Sequence, residues 1–223
     1  MKDLFYRDDM IIASKSHFIN TAKKTLEATT KEITEFLQNQ EINHINKKPS
    51  AHTNLKITAP PLTFQIDIMF YPIGDGHKNI LLLVDIQSRK AWAYILSSMS
   101  GENILNKYKE FLSNVGSING IEGDNQFSYK AFQDFNEERS IRLDTSISKD
   151  EHTSANGNKL GIIDRLVRTL KEMIDRYRTM ISKQGALQDI IDKVITAYNG
   201  QIHSTLKTSP NERYKKRHRN TNY

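Results

Sequence analysis

The stretch Thr-Phe-Gln-Ile-Asp-Ile-Met-Phe at residues 63–70 decides the fold class of this chain. Large apolar residues alternate in it with smaller or polar ones, and this period of two predicts a β-strand. Residues 79–87 form a nearly continuous apolar run, typical of a strand buried on both faces. Residues 91–96 predict a third strand, with a turn at 72–77 between the first two. The three strands predict an antiparallel meander.

Downstream of the meander, the pattern predicts helices alternating with two short strands. The apolar spacing predicts helices at 102–115, 129–138, 160–181 and 187–199, and strands at 117–122 and 140–143. This order of strands and helices predicts a mixed α/β domain.

Four regions are expected along the chain. Residues 1–46 form a helical N-terminal region, because apolar residues recur there at three-to-four-residue spacing. Residues 47–61 are polar, end in two prolines and predict a linker. Residues 62–212 form the main domain, and 213–223 a basic tail.

Composition excludes several classes of site. The chain has no cysteine, which excludes disulfides, thiol catalysis and zinc sites that need a thiolate. Its seven histidines include no pair at the spacing of a zinc module. No apolar run reaches the length of a membrane span, and charges follow Met1 directly, so we expect a soluble, intracellular chain without a membrane partner.

The basic residues are concentrated in the last third of the chain. Residues 159–219 contain 14 basic and 6 acidic residues, a net charge of +8, while the remainder nets −2. Such a distribution suits a polyanionic partner, although a lysine-rich codon bias explains it equally well.

Three aspartates, Asp67, Asp124 and Asp164, occupy positions where a carboxylate suggests a functional role. Asp67 lies within an apolar strand, where an unpartnered charge is costly to bury. Asp124 follows a strand and a glycine, and Asp164 lies near the start of the long helix, where the helix dipole favours an anion. Three carboxylates brought to one point can hold two divalent ions for phosphoryl transfer. Taken alone, this is a weak signal, because the chain contains many other acidic residues from which three could be chosen. Asp85 also lies in a predicted strand, and for it we favour a structural or supporting role over a role as a metal ligand.

The long helix adds a second pattern. Its apolar stripe is opposed by Asp164, Arg168, Lys171, Asp175 and Arg178 at spacings of four, three, four and three. A carboxylate with cations in the next two turns suits a metal ligand beside a phosphate backbone. An ordinary solvated face with ion pairs explains the same spacing.

Five segments of the chain form an ordered set: FQID at 64–67, HKNILLLVDIQSRKAWA at 77–93, GDNQF at 123–127, IIDRLVRTLK at 162–171, and AYN at 197–199 with HSTL at 203–206 and SP at 209–210. Together they resemble the retroviral integrase superfamily, and within it the integrases of Polinton (Maverick) elements and of virophages and related large DNA viruses. The resemblance covers roughly residues 30–215.

The resemblance implies a ribonuclease H-like α/β fold, in which helices flank a five-stranded mixed sheet. It also implies that the acids of this fold bind two magnesium or manganese ions. It implies an enzyme of a mobile element or virus that trims the 3′ ends of donor DNA and joins them to target DNA, working as a homo-oligomer on double-stranded DNA. Asp67, Asp124 and Asp164 match the catalytic, metal-binding acids. Contacts to DNA are expected from Asn125, Lys159, Arg165, Arg168 and Lys171. The resemblance also implies an intracellular location, with the host nucleus, a viral factory or the virion as the possibilities.

The sequence departs from the family pattern at three points. Asp164 stands where the family has glutamate, and 39 residues separate it from Asp124, slightly more than usual. The N-terminal region lacks the family's zinc module, and a C-terminal chromodomain or SH3-like domain is not expected from this sequence. Two alternatives therefore stay open: a catalytically impaired, integrase-derived DNA-binding protein, and a ribonuclease H-like nuclease that cuts without joining.

Overall fold

The computed structural model describes residues 1–40, 59–145, 160–181 and 185–220, with side chains up to residue 216. Two compact units divide the chain. One contains the five-stranded sheet and ends at Arg168, and the other combines the N-terminal helices with the chain from Thr169 onward. The predicted domain boundaries remain predictions. Lys159 and most of the expected linker lie outside the described residues.

The sheet has the strand order β3-β2-β1-β4-β5. Its strands are β1 Thr63–Ile73, β2 Gly76–Asp85, β3 Ala91–Leu96, β4 Gly120–Glu122 and β5 Arg142–Asp144. The first three strands pair antiparallel, as the sequence predicts, whereas β4 runs parallel to β1 and β5 parallel to β4. The predicted five-stranded mixed sheet is confirmed.

The hairpin of β1 and β2 is longer than the sequence suggests. Pro72, expected in the turn, pairs with His77 inside the ladder, and the turn is reduced to Gly74 and Asp75. Proline is tolerated in a strand where its missing N–H faces no partner. Pairing between β1 and β4 covers only Thr63–Gln65. Pro72 lies beyond this pairing, so its missing N–H interrupts no hydrogen bond to β4.

The helices follow the predicted periodicities closely. They are α1 Lys2–Phe5, α2 Asp8–Ile11, α3 Lys15–Leu26, α4 Thr30–Gln38, α5 Gly101–Val115, α6 Lys130–Glu137, α7 Gly161–Met180, α8 Leu187–Gly200 and α9 Pro210–Asn220. Residues 213–220 of the segment expected as a basic tail belong to the helix α9. This helix begins at a proline, a residue suited to the first helical position. No helix in the described ranges is long and apolar enough to cross a membrane.

An aromatic core holds one face of the sheet. Phe64 of β1 packs edge-on against Phe111 of α5, with ring centroids 5.2 Å apart. Tyr108 of α5 packs against Phe132 of α6 at 4.8 Å. Because side chains alternate along a strand, Gln65 and Asp67 point to the opposite face of β1. The core on one face therefore fixes which side of the sheet carries the candidate site.

Candidate functional site

Asp67 lies in β1 between two buried isoleucines and is itself half-buried. One of its carboxylate oxygens, Oδ1, accepts a hydrogen bond of 2.8 Å from the backbone N–H of Ile68. It also accepts one of 3.4 Å from the side-chain amide of Gln126. The strand thus presents a carboxylate that is held by donors without being buried.

Asp124 lies two residues beyond β4 and precedes a short 3-10 helix, Asn125–Phe127. Its Oδ1 accepts the backbone N–H of Gln126 at 3.1 Å and so caps that helix. Since Gln65 pairs with Glu122 between the parallel strands, Asp67 and Asp124 each lie two residues past the same rung. They therefore lie at the same level of the sheet.

Gln126 joins these two aspartates. Its backbone N–H donates to Asp124, and its side-chain amide donates to Asp67. Two N–H donors thus point at two neighbouring carboxylates, supplying positive polarity where like charges would otherwise repel. The site contains a bridged carboxylate pair, made of Asp67, Asp124 and Gln126.

Gly123 allows this pair to form, because the chain passes close to β1 there. A β-carbon at this position would lie 2.8 Å from Ile66 Cγ2 and 2.9 Å from Phe127 Cδ2. Both neighbours are buried and cannot give way freely. The glycine before Asp124 is required by packing.

We expect Gly123→Ala to destabilise the fold by about 1–3 kcal/mol, because the added methyl overpacks a buried contact. Urea unfolding followed by circular dichroism measures the change. The matched control is Gly200→Ala at the end of α8, where an added β-carbon meets nothing within 4 Å. Equal stability of the two variants would contradict this account.

Gln65 connects β1 to the helix that carries Asp164. This glutamine is fully buried, and its side-chain oxygen accepts the backbone N–H of Ile163 at 3.0 Å. Its amide donates to Glu122 at 3.2 Å. The first N–H groups of a helix have no partner within it, so a side chain from the sheet caps the first turn of α7. Gln65 therefore links the three elements that carry the three aspartates.

Asp164 is half-buried in the first turn of α7, one residue after the N–H that Gln65 binds. Within the described ranges, no three His, Cys, Asp or Glu side chains form a group that could hold a metal ion. The structure thus brings Asp67 and Asp124 together and places Asp164 on an attached helix without joining it to the pair.

The donor set of the pair fits magnesium in kind, since magnesium prefers one or two carboxylates with waters and substrate phosphates completing its ligands. Gln126 is exposed and reaches Asp67 at 3.4 Å, a long contact that a cation can replace. The carboxylates of Asp67 and Asp124 are therefore candidate ligands for such an ion.

The predicted DNA-contacting residues are accessible where they are described. Asn125, Arg165 and Arg168 are exposed, and Lys171 is partly exposed. Arg168 donates from Nε to the carbonyl of Asp164 at 3.4 Å, one turn earlier on the same helix. The helix therefore carries cations near the third acid.

Asp85, also in a strand, has a different environment. It is fully buried, and its carboxylate accepts the N–H groups of Gln87 and Ser88 at 3.4 and 3.1 Å and the hydroxyl of Ser88 at 2.5 Å. These donors all belong to the turn that leads to β3. The contacts support the structural interpretation of Asp85.

Two glutamines of the site were missed by sequence reasoning. Gln65 had a detectable signal, because an uncharged polar residue between apolar neighbours in a buried strand needs hydrogen-bond partners. Gln126 lies in the GDNQF segment of the resemblance, but its role as a bridge depends on the position of Asp67, which the sequence does not show.

Comparison with known proteins identifies the fold. No protein-family model and no curated protein sequence matches the chain. Among solved structures, the HTLV-2 integrase catalytic core domain in complex with magnesium, in its trimeric form, matches with a TM-score of 0.58 and 17% identity, over 71% of this chain and 99% of that one. The BIV integrase catalytic core matches with a TM-score of 0.58 and 13% identity, over 73% and 99%.

A larger assembly matches more of the chain. The simian T-cell lymphotropic virus intasome, solved in complex with the PP2A regulatory subunit B56γ, matches with a TM-score of 0.63 and 16% identity, over 87% of this chain and 69% of that one. At these identities the likeness is one of fold. The chain has the ribonuclease H-like fold of a retroviral integrase catalytic core, which confirms the predicted fold class.

Proposed function

We propose that this protein is an integrase-type DNA strand transferase, which trims the 3′ ends of donor DNA and joins them to target DNA. The observation that carries the proposal is the bridged carboxylate pair at the matching ends of β1 and β4. The capping of α7 by Gln65, which holds Asp164 on a neighbouring element, adds support. The integrase-core fold agrees with this chemistry.

Asp67 and Asp124 would hold magnesium, with Asp164 as the third ligand. The chemistry that two such ions supply when bound is activation of the attacking oxygen and stabilisation of the leaving oxygen. The residues of the chain do the remaining work. Asn125, Arg165, Arg168 and Lys171, together with Lys159, position the DNA backbone, since arginine and lysine bind phosphate without reading sequence.

We also propose that the protein acts as a homo-oligomer on double-stranded DNA within the cell. The HTLV-2 core is described in trimeric and dimeric forms, and the simian virus protein as an intasome. The narrower placement among Polinton and virophage integrases rests on the sequence resemblance, as does a role in the nucleus, a viral factory or the virion.

A strand-transfer assay with a pre-cut donor end tests the proposed function. We expect joined donor–target products in the presence of magnesium, with manganese as the alternative ion. Products that are cut and never joined would indicate the nuclease instead. DNA binding without cutting or joining would indicate the impaired, integrase-derived DNA-binding protein.

This last alternative has an observation of its own. Asp164 does not complete a three-acid group in the described residues, and aspartate is one methylene shorter than the glutamate of the resembling family. A site limited to two carboxylates would bind DNA through the basic residues of α7 without positioning both ions.

A further inference from the structure

The helix α9 concentrates positive charge outside the site described above. Its eleven residues, Pro210–Asn220, contain five basic side chains and one acidic one, a net charge of +4. The sequence predicts only a basic tail for residues 213–223. A helix differs from such a tail because it presents its charges at fixed positions.

The N-terminus of α9 is capped at several points. Ser209 Oγ accepts the N–H of Glu212 at 3.2 Å, and the Glu212 carboxylate accepts the N–H of Ser209 at 3.3 Å. The Thr208 hydroxyl donates to the same carboxylate at 2.7 Å. Such a reciprocal arrangement fixes where a helix starts. The hydroxyl of Thr208 and the amide of Ser209 hold the pKa of Glu212 below its ordinary value.

The helix is also anchored to its own unit. It packs against α8, with Ser209 and Pro210 buried and Tyr214 half-buried. The single acid of the helix is thus used in the cap, and Arg213, Lys215 and Lys216 face solvent on an anchored element. Less conformational entropy is lost when a partner binds side chains whose backbone is already ordered.

The cations in the described part of α9 are accessible. Arg213, Lys215 and Lys216 are all exposed. Neither Lys215 nor Lys216 has an ion-pair partner within 4.0 Å among the residues whose side chains are described. The sequence continues with Arg217 and Arg219. Three exposed cations on an ordered helix form a surface that suits an anionic partner.

We propose that α9 is a nucleic-acid-binding helix that contacts the phosphate backbone of duplex DNA through Arg213, Lys215 and Lys216. Duplex DNA presents a continuous row of anions, and each neutralised phosphate releases condensed counterions. The contacts fix the position of the protein without specifying sequence. The helix contains none of the residues of the carboxylate site, and it binds DNA whether or not the chain joins DNA.

The chemistry of the helix favours nucleic acid over a lipid surface. A membrane-binding helix pairs its basic face with a wide apolar face of large side chains. Between Pro210 and Lys216 the apolar groups are the buried proline and the half-buried Tyr214. No exposed apolar side chain is available in that stretch for insertion between lipids.

DNA binding in EDTA tests the proposal independently of catalysis. The probe is a short, fluorescein-labelled duplex of random sequence, measured by anisotropy over a series of salt concentrations. We expect the triple variant Arg213→Gln, Lys215→Gln, Lys216→Gln to bind roughly ten- to a hundredfold more weakly at low salt. The slope of log affinity against log salt should fall by up to about three, close to one for each lost phosphate contact.

The matched control is Lys15→Gln, Lys23→Gln, Lys24→Gln on α3, which removes the same charge from exposed positions in the same unit. Circular dichroism and thermal unfolding verify that both variants fold. If the α3 variant lost as much affinity for the duplex as the α9 variant, net charge alone would explain the loss and the proposal would be overturned. So would an unchanged salt slope in the α9 variant, or α9-dependent binding to phosphatidylserine vesicles without binding to the duplex.

Discussion

We expect Asp67→Asn and Asp124→Asn each to reduce strand transfer by more than about 100-fold, the upper range for groups that only orient a metal ligand. Asparagine keeps the size of the side chain and removes its charge, so the loss reports on the carboxylate itself. The measurement is the initial rate of joining a pre-cut donor end to target DNA.

A second readout separates lost chemistry from lost folding. Asp67 and Asp124 are like charges bridged by Gln126, so neutralising one relieves repulsion and should leave stability without metal unchanged or higher. Magnesium at tenfold excess over its dissociation constant stabilises a protein by about 1.4 kcal/mol, and we expect both variants to lose this increment.

The control for the aspartate variants is Asp134→Asn. Asp134 is a partly exposed carboxylate on α6 that pairs with Lys130 at 2.9 Å. This change should leave both joining and magnesium stabilisation intact. Full joining activity in either Asp67→Asn or Asp124→Asn would exclude that carboxylate from the reaction.

Replacing Gln65 by methionine should produce the second largest effect, this time on stability. Methionine has nearly the same shape but accepts no strong hydrogen bond, so the buried N–H of Ile163 and the side chain of Glu122 both lose a partner. An unsatisfied buried group costs about 1–3 kcal/mol. We expect a loss of about 2–3 kcal/mol, which lowers Tm by about 4–12 °C for a chain of this size.

The position of this loss can be measured as well as its size. Hydrogen exchange at the Ile163 amide should accelerate more than exchange in the middle of α7, because Gln65 holds only the first turn. Gln133→Met, an exposed glutamine on α6, is the matched control and should change neither Tm nor exchange in α7. Unaltered exchange at Ile163 in Gln65→Met would show that the cap is dispensable.

Local patterns predicted the fold well because most of its signals are periodic. Alternation in 63–70 and the apolar run that follows it predicted the hairpin, and the stripe containing Ile163, Leu170 and Ile174 is buried as expected. The parallel pairing of β4 and β5 has no such signal. Those strands are three residues long and owe their place to neighbours distant in the chain.

The charged residues of the candidate site could be predicted from the sequence, but the contacts of the glutamines that position them could not. Asp67 and Asp124 were detectable because a carboxylate in a strand, or just after one, needs an explanation. Gln126 and the register of Gln65 with Glu122 arise only when separate segments meet. The helical state of residues 210–220 was obscured because its many charges suggested a tail, whereas the cap at Ser209 and Glu212 lies at its start.

The short ladder between β1 and β4 has a consequence for how such a chain can evolve. The three paired residues of β1 and β4, together with the hydrogen bond from the Ile163 N–H to the Gln65 side chain, fix the relative positions of the three elements that carry the aspartates. Chains that differ in the number of residues between Asp124 and Asp164 can therefore keep these three elements in the same arrangement, provided that the hydrogen bonds of Gln65 to Ile163 and Glu122 are retained.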